Sequence, residues 1–264
     1  MAGSVTAERG ARQQDSSGPP LVRRLGPRRL RVIIILVLLA VLLGVGGVWV
    51  LYGSQWTRVE RVNVSGTQVL TPQQVLDAAA VPVGSPLISV DTDVIETRLR
   101  EKLPRIDEVD VVRSWPHGIG LKVTERQPVL LVRKGSKFIE VDDEGVRFAT
   151  VSEAPKNAPF LEMAVSSSGS GAASLRRFGE GRLVREAVRV AGDIPAAVAK
   201  QTRSVKVRSY DDISLELADG RTIAWGSAER GALKGRTLIA LMKASAAARH
   251  FDVSVPTAPA SSGS

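Results

Sequence analysis

Residues Val109–Glu125 read VDVVRSWPHGIGLKVTE. Ile119, Leu121 and Val123 alternate with Gly120, Lys122 and Thr124. That two-residue period belongs to a strand with one face in a core and the other in water. Val109–Val112 has β-branched strand content, and Pro116-His117-Gly118 supplies the turn between the two runs. The stretch is a β-hairpin. Trp115 is expected to cover the core at the sheet edge, and His117 to be a solvated turn residue.

Upstream, Asp91–Asp93 opens a helix in which Ile95, Leu99 and Leu103 recur every four residues, and Pro104 ends it. Before that lies TPQQVLDAAAV, starting at Thr71. Thr71 can cap, Pro72 suits the first helical position, Gln74 completes a capping box, and Val75, Leu76 and Ala79 form a buried face. VERVNVSG (Val59–Gly66) alternates at Val62 and Val64 and turns at Gly66. Residues 57–128 therefore order as β-α-α-β-β, and two helices covering one face of a three-stranded sheet make a sound α+β module.

Downstream, residues 129–256 form a second module. Phe138, Ile139 and Val141 lead into a turn at Asp142–Gly145, and Val146 and Phe148 lead out. Asp142, Asp143 and Glu144 lack the spacing of a calcium loop and are expected to be an exposed acidic turn. SSSGSGAAS (Ser166–Ser174) has the composition of a flexible loop. Leu183, Val184, Ala187, Val188 and Val190 suit a short helix before Gly192. Ile213, Leu215 and Leu217 alternate before a hairpin turn at Asp219-Gly220. Ser227 is expected to cap a helix carrying Leu233, Leu238, Leu241 and Met242. Phe251, Val253 and Val255 then alternate with Asp252 and Ser254, and Pro256 stops pairing. This last strand is expected at a sheet edge, where free backbone N–H and C=O groups accept a partner's strand. Residues 257–264 are expected to be a disordered tail. The second module is thus mixed, mostly antiparallel β with flanking helices.

Val32–Tyr52 is unlike the rest. Its 21 residues include fifteen Val, Ile or Leu and no charge. A helix of that length spans roughly 31 Å, against about 30 Å of bilayer hydrocarbon. The run is too long for a signal peptide, and no small-residue cleavage site follows. Trp49, Tyr52 and Trp56 sit where an aromatic belt would lie. Arg23, Arg24, Arg28, Arg29 and Arg31 crowd the N-terminal flank. The positive-inside rule assigns residues 1–31 to the cytoplasm as a disordered basic tail and residues 53–264 to the far side. Ala40 and Gly44 give a faint small-residue spacing for span pairing.

Composition narrows the chemistry. Of the net charge of +9, residues 1–31 carry +5, so the basicity belongs to the head of the chain and not to a folded nucleic-acid surface. There is no Cys, which excludes disulfides, thiolate metal sites and a cysteine nucleophile. His117 and His250 are too few and too isolated for a His-rich metal site. The sequence contains no H-E-x-x-H, nucleophile elbow or P-loop. Neither an enzyme, a cofactor nor a metal is expected.

The first exported module resembles the POTRA domain of the FtsQ/DivIB family of bacterial cell-division proteins. The resemblance rests on VNVSG, TPQQVLDAA, VPVGSPLISVD, LPRIDEVDVVRSWP and LKVTERQPV. Arg113-x-Trp115-Pro116 followed by Val123–Arg126 and Pro128 is its most specific part. RTIAWGSAERGALKGRTLIALMKA and FDVSVPTAP look like the end of the family's β domain. The resemblance implies a single-pass protein of the cell membrane at the division septum. Its β domain would bind the C-terminal segments of FtsB and FtsL (DivIC-like), and through them the septal peptidoglycan synthase pair FtsW/FtsI. The matching positions are His250, Phe251, Asp252, Val253, Ser254 and Val255, with Trp225 and Gly226 as a weaker neighbourhood. The alternative is a POTRA-containing envelope transport or assembly factor, which would favour tandem β-α-α-β-β units or a membrane barrel; neither is in the sequence.

Overall fold

The computed structural model describes residues 27–53, 55–156, 158–166 and 168–263. As far as residue 26, the expected cytoplasmic tail lies outside them. The chain divides into two compact units, Met1–Ser54 and Gln55–Ser264.

In the first unit, α1 (Pro27–Tyr52) starts five residues before the apolar run and takes in Arg28, Arg29 and Arg31. From Val32 onward it is apolar on every face, and its large side chains are exposed along nearly its whole length. A helix that has no buried residue over its apolar window, among the described residues, and is long and apolar enough to cross a bilayer fits lipid as its solvent.

The second unit begins with β1 (Arg61–Ser65), α2 (Pro72–Ala79), α3 (Thr92–Lys102), β2 (Ile106–Ser114) and β3 (Gly118–Glu125). Their sheet runs β1-β3-β2, with β1 parallel and β2 antiparallel to β3. The capping box at Thr71 forms in both directions, and Asp91 caps α3 by accepting from the Asp93 and Val94 amides. Val75, Ile95 and Leu99 meet Val109, Ile119 and Leu121 in one core. Gly66 has φ of +87°, and a Cβ there would sit 2.0 Å from the Val123 carbonyl oxygen, so glycine alone fits. Glu125 is buried and accepts the consecutive amides of Gln68, Val69 and Leu70 at 2.7–3.1 Å, which ties that loop to the end of β3.

Trp115 does not cover the core. It stands 53% exposed in the β2–β3 turn, because Ile119 and Leu121 already fill the space beneath the helices. His117 is half-buried, and its ring lies against the Arg61 guanidinium.

The remaining strands are β4 (Leu130–Lys134), β5 (Lys137–Val141), β6 (Arg147–Val151), β7 (Phe160–Met163), β8 (Thr202–Ser209), β9 (Asp212–Leu217), β10 (Thr222–Gly226), β11 (His250–Asp252) and β12 (Ala260–Ser262). They form one sheet ordered β12-β11-β10-β9-β8-β7-β4-β5-β6. The pairings β4–β7, β7–β8 and β10–β11 are parallel and the other five antiparallel, so the sheet is mixed and mostly antiparallel. Helices α4 (Gly169–Phe178), α5 (Glu180–Asp193), α6 (Ala196–Ala199) and α7 (Gly231–Ala244) accompany it. Leu183, Val184, Ala187 and Val190 of α5 pack on Val205, Val207, Ile213 and Leu215.

Four more expectations change in this second module. The small-residue run over 166–174 is mostly the first half of α4. Its small side chains serve contact: a Cβ on Gly171 would lie 2.9 Å from the Arg208 carbonyl oxygen, and Ala172 is buried. Helix α7 starts at Gly231 and not at Ser227, with Arg230 in the left-handed region and no side-chain cap. The tail expected over 257–264 contains β12, because a turn closed by the Ala258 amide on the Val255 carbonyl sends the chain back along β11.

Fourth, the turn at Asp142 is not simply exposed. The Asp142 side chain is 1% accessible and pairs with Arg126; its other oxygen accepts from the Glu144 and Val146 amides at 3.0 and 2.7 Å. Arg126 also lies 3.3 Å from Asp107 and from Glu144. Beside it, Arg105 meets buried Glu140 at 2.5 Å and covers the Phe148 ring. Two arginines at the end of the small sheet thus insert into carboxylates of the β5–β6 hairpin.

Candidate partner-binding end of the large sheet

The expected site residues gather at the β12 end of the large sheet, in three different environments. Phe251 and Val253 are fully buried and complete the core with Trp225 and Ile223. His250, Asp252 and Val255 are exposed, and Ser254 is half-buried. The Val253 amide donates to the Ala224 carbonyl at 3.0 Å, and the Thr222 amide to that of Arg249 at 2.9 Å. These bonds bracket the parallel ladder of β10 with β11. Thr222 Oγ1 is 2.6 Å from His250 Nδ1, and Asp252 accepts both the amide and the hydroxyl of Ser254 at 2.9 and 2.6 Å.

Strand β11 is not the sheet edge. On its far side it pairs with β12 in the register His250–Ser262, Phe251–Ser261, Asp252–Ala260. The Arg249 amide donates to the Ser262 and Gly263 carbonyls at 3.1 and 2.8 Å. The chain thus supplies its own last strand: three residues long, small, and mostly exposed.

Trp225 and Gly226 position this end and offer a partner no surface. Trp225 is fully buried, and its indole Nε1 finds no hydrogen-bond partner among the described residues. Gly226 has φ of +78°, and a Cβ there would press to 2.9 Å from that of Ser254. The β10 bulge at this point lets the Ser254 backbone cross close above.

A residue absent from the sequence-based expectation holds the bulge. Lys234 of α7 is 2% exposed, and its Nζ donates to the Trp225 and Ser227 carbonyls at 2.9 and 2.8 Å. Burial, reinforced by nearby Arg230, lowers its pKa below 10.5; Glu229, Asp211 and Asp252 oppose the shift. The buried stripe of α7 is Gly231, Lys234, Gly235 and Leu238. Leu238, Leu241 and Met242 of the expected stripe reach the core, and Leu233 stays exposed because the first turns of α7 face inward with glycine: a Cβ on Gly231 would overlap the Asp193 carboxylate. The i, i+3, i+4, i+7 spacing of these four was visible, but a hydrophobicity pattern passes over Gly and Lys.

Among the described residues, no group of three or more His, Asp or Glu could hold a metal ion. The architecture defines a class: one membrane-type helix, then a small three-stranded POTRA-type module and a larger sheet ending in a short strand. Residues 57–126 match the family model described as POTRA domain, FtsQ-type, and residues 130–254 that described as Cell division protein FtsQ/DivIB, C-terminal. The chain belongs to the FtsQ/DivIB family of cell division proteins. It is 72% identical to the cell division protein FtsQ of Streptomyces collinus and 72% identical to that of Streptomyces coelicolor, each over 264 residues and the whole of both chains. It is 58% identical to that of Streptomyces venezuelae over 273 aligned positions, covering 100% of this chain and 99% of the relative.

Proposed function

We propose that this chain is a non-catalytic scaffold of the division septum. Its N-terminus faces the cytoplasm, α1 spans the cell membrane once, and the unit from Gln55 recruits FtsB and FtsL outside it. Through them it couples to the peptidoglycan synthases FtsW and FtsI. The arginines at the N-terminal end of the apolar run support the orientation. Tethering in one membrane raises the effective concentration of bitopic partners, so modest strand contacts suffice.

The single observation that carries the docking proposal is the weak hold of β12 on β11. Its three small residues, set against His250–Asp252, gain about 0.5–1.5 kcal/mol per net hydrogen bond, against about 1–2 kcal/mol per ordered residue. The self-made strand is therefore close to neutral, and a partner strand with apolar anchors displaces it. Modules 57–128 and 129–256 divide the work, the first docking or targeting and the second pairing with FtsB.

Isothermal titration of the exported unit with a synthetic C-terminal FtsB segment tests this. Deleting Ala260–Ser264 frees the edge and tightens binding about fivefold, the equivalent of about 1 kcal/mol. Unchanged affinity contradicts displacement. Weaker affinity means that the partner adds to β12 instead.

A further inference from the structure

Three exposed apolar side chains stand at one end of the small sheet: Trp56 (71% exposed), Val83 (65%) and Trp115 (53%). The backbone brings their segments together. Arg61 pairs with Gly118, so β1 and β3 begin side by side and the Trp115 turn lies at that end. The Glu60 and Arg61 amides donate to the His117 carbonyl at 2.9 and 3.3 Å. The Val83 loop joins them through Val59 to Ser85 and Gly84 to Val59 amide bonds, at 2.9 and 2.8 Å, and through Arg58 Nη1 to the Gly84 carbonyl at 2.7 Å. Pro82 and Pro116 are exposed beside them. Over residues 55–61, 81–86 and 114–118 the charges are Arg58, Arg61 and Glu60, with His117 between.

This is also the end at which the chain enters the module. Trp56 is four residues from Tyr52, the last residue of α1, a reach of at most about 14 Å. Two tryptophans and a valine beside arginines and prolines have the chemistry of a bilayer interface, where indole rings settle at headgroup depth. An exposed apolar group kept that near to lipid has lipid as its nearest apolar phase.

We propose that the Trp56–Val83–Trp115 end of the small module is a peripheral membrane contact that seats it on the lipid headgroups of the outer leaflet. The contact rests on α1 spanning the bilayer as proposed above.

The test uses the full chain in nanodiscs of phosphatidylethanolamine and phosphatidylglycerol, with or without bromine at acyl positions near the interface. Bromine quenches indole fluorescence on contact. In a Trp49→Phe/Trp56→Phe background the remaining tryptophans are Trp115 and buried Trp225. Brominated discs should quench this variant several-fold more than its Trp115→Phe derivative, and adding Val83→Glu should abolish most of the difference. A Trp56→Phe/Trp115→Phe variant reports the span through Trp49. Quenched Trp49 with unquenched Trp115 overturns the contact and leaves the span standing. Unquenched Trp49 overturns both. Quenching of Trp115 that survives Val83→Glu overturns the apolar patch as its cause.

Discussion

Replacing Arg126 with Met removes the cation at the junction of the two sheets without removing its bulk. One Asp142 carboxylate oxygen then faces a methyl group inside a site where the side chain is 1% accessible. Breaking a buried pair on one side costs about 3–5 kcal/mol. The Glu144 and Val146 amides still hold the other oxygen, which puts the expectation at the low end, about 3 kcal/mol. With a urea slope of about 2 kcal/mol/M, the unfolding midpoint of the unit from Gln55 falls by about 1.5 M. Asp142→Asn alone costs less, because Arg126 keeps Asp107 and Glu144 on its exposed side. The double variant recovers part of the loss, with a coupling energy of about 2 kcal/mol. Urea melts of the four proteins, followed by circular dichroism, measure it. A coupling below about 0.5 kcal/mol would refute the pair as a junction lock, since that is the scatter expected of independent sites.

Other outcomes follow from single buried groups. Glu125→Ala leaves three amides of the 68–70 loop without their acceptor and destabilises the small module by about 2–3 kcal/mol; hydrogen exchange should accelerate at Gln68, Val69 and Leu70 before it does so elsewhere. Lys234 gives a pH dependence whose sign is fixed by its lowered pKa. Between that value and 10.5 the unfolded chain binds more protons than the folded one, so stability rises with pH across the window. The stability of the native unit relative to Lys234→Met, which does not titrate, should therefore be greater at pH 10 than at pH 7 by urea melts; a constant or shrinking difference contradicts the buried ammonium.

Local order was legible where chemistry is local. The Thr71 capping box, the Asp219-Gly220 turn and the alternation at Ile119, Leu121 and Val123 act over a few residues and formed as expected. The β-α-α-β-β order followed from them. What escaped depends on distant partners. Asp142 becomes a buried anion only because Arg126 reaches it, and Lys234 is buried only because the β10 bulge presents two carbonyls to it. Helix α4 is written in small residues whose value is close approach to β8, so its composition imitates a linker. His250–Val255 lie beside Trp225 and Gly226, yet the edge strand was missed, because Ala260–Ser262 carries no alternation and pairs only after a turn returns it to β11.

The account stands on a partner strand taking the place of β12 beside β11. Amide hydrogen exchange on the exported unit, with and without the FtsB C-terminal segment, tests this most directly. Binding should strip protection from Ala260–Ser262 while His250–Asp252 stays protected or gains. Saturating FtsB segment that leaves exchange at both strands unchanged would contradict it.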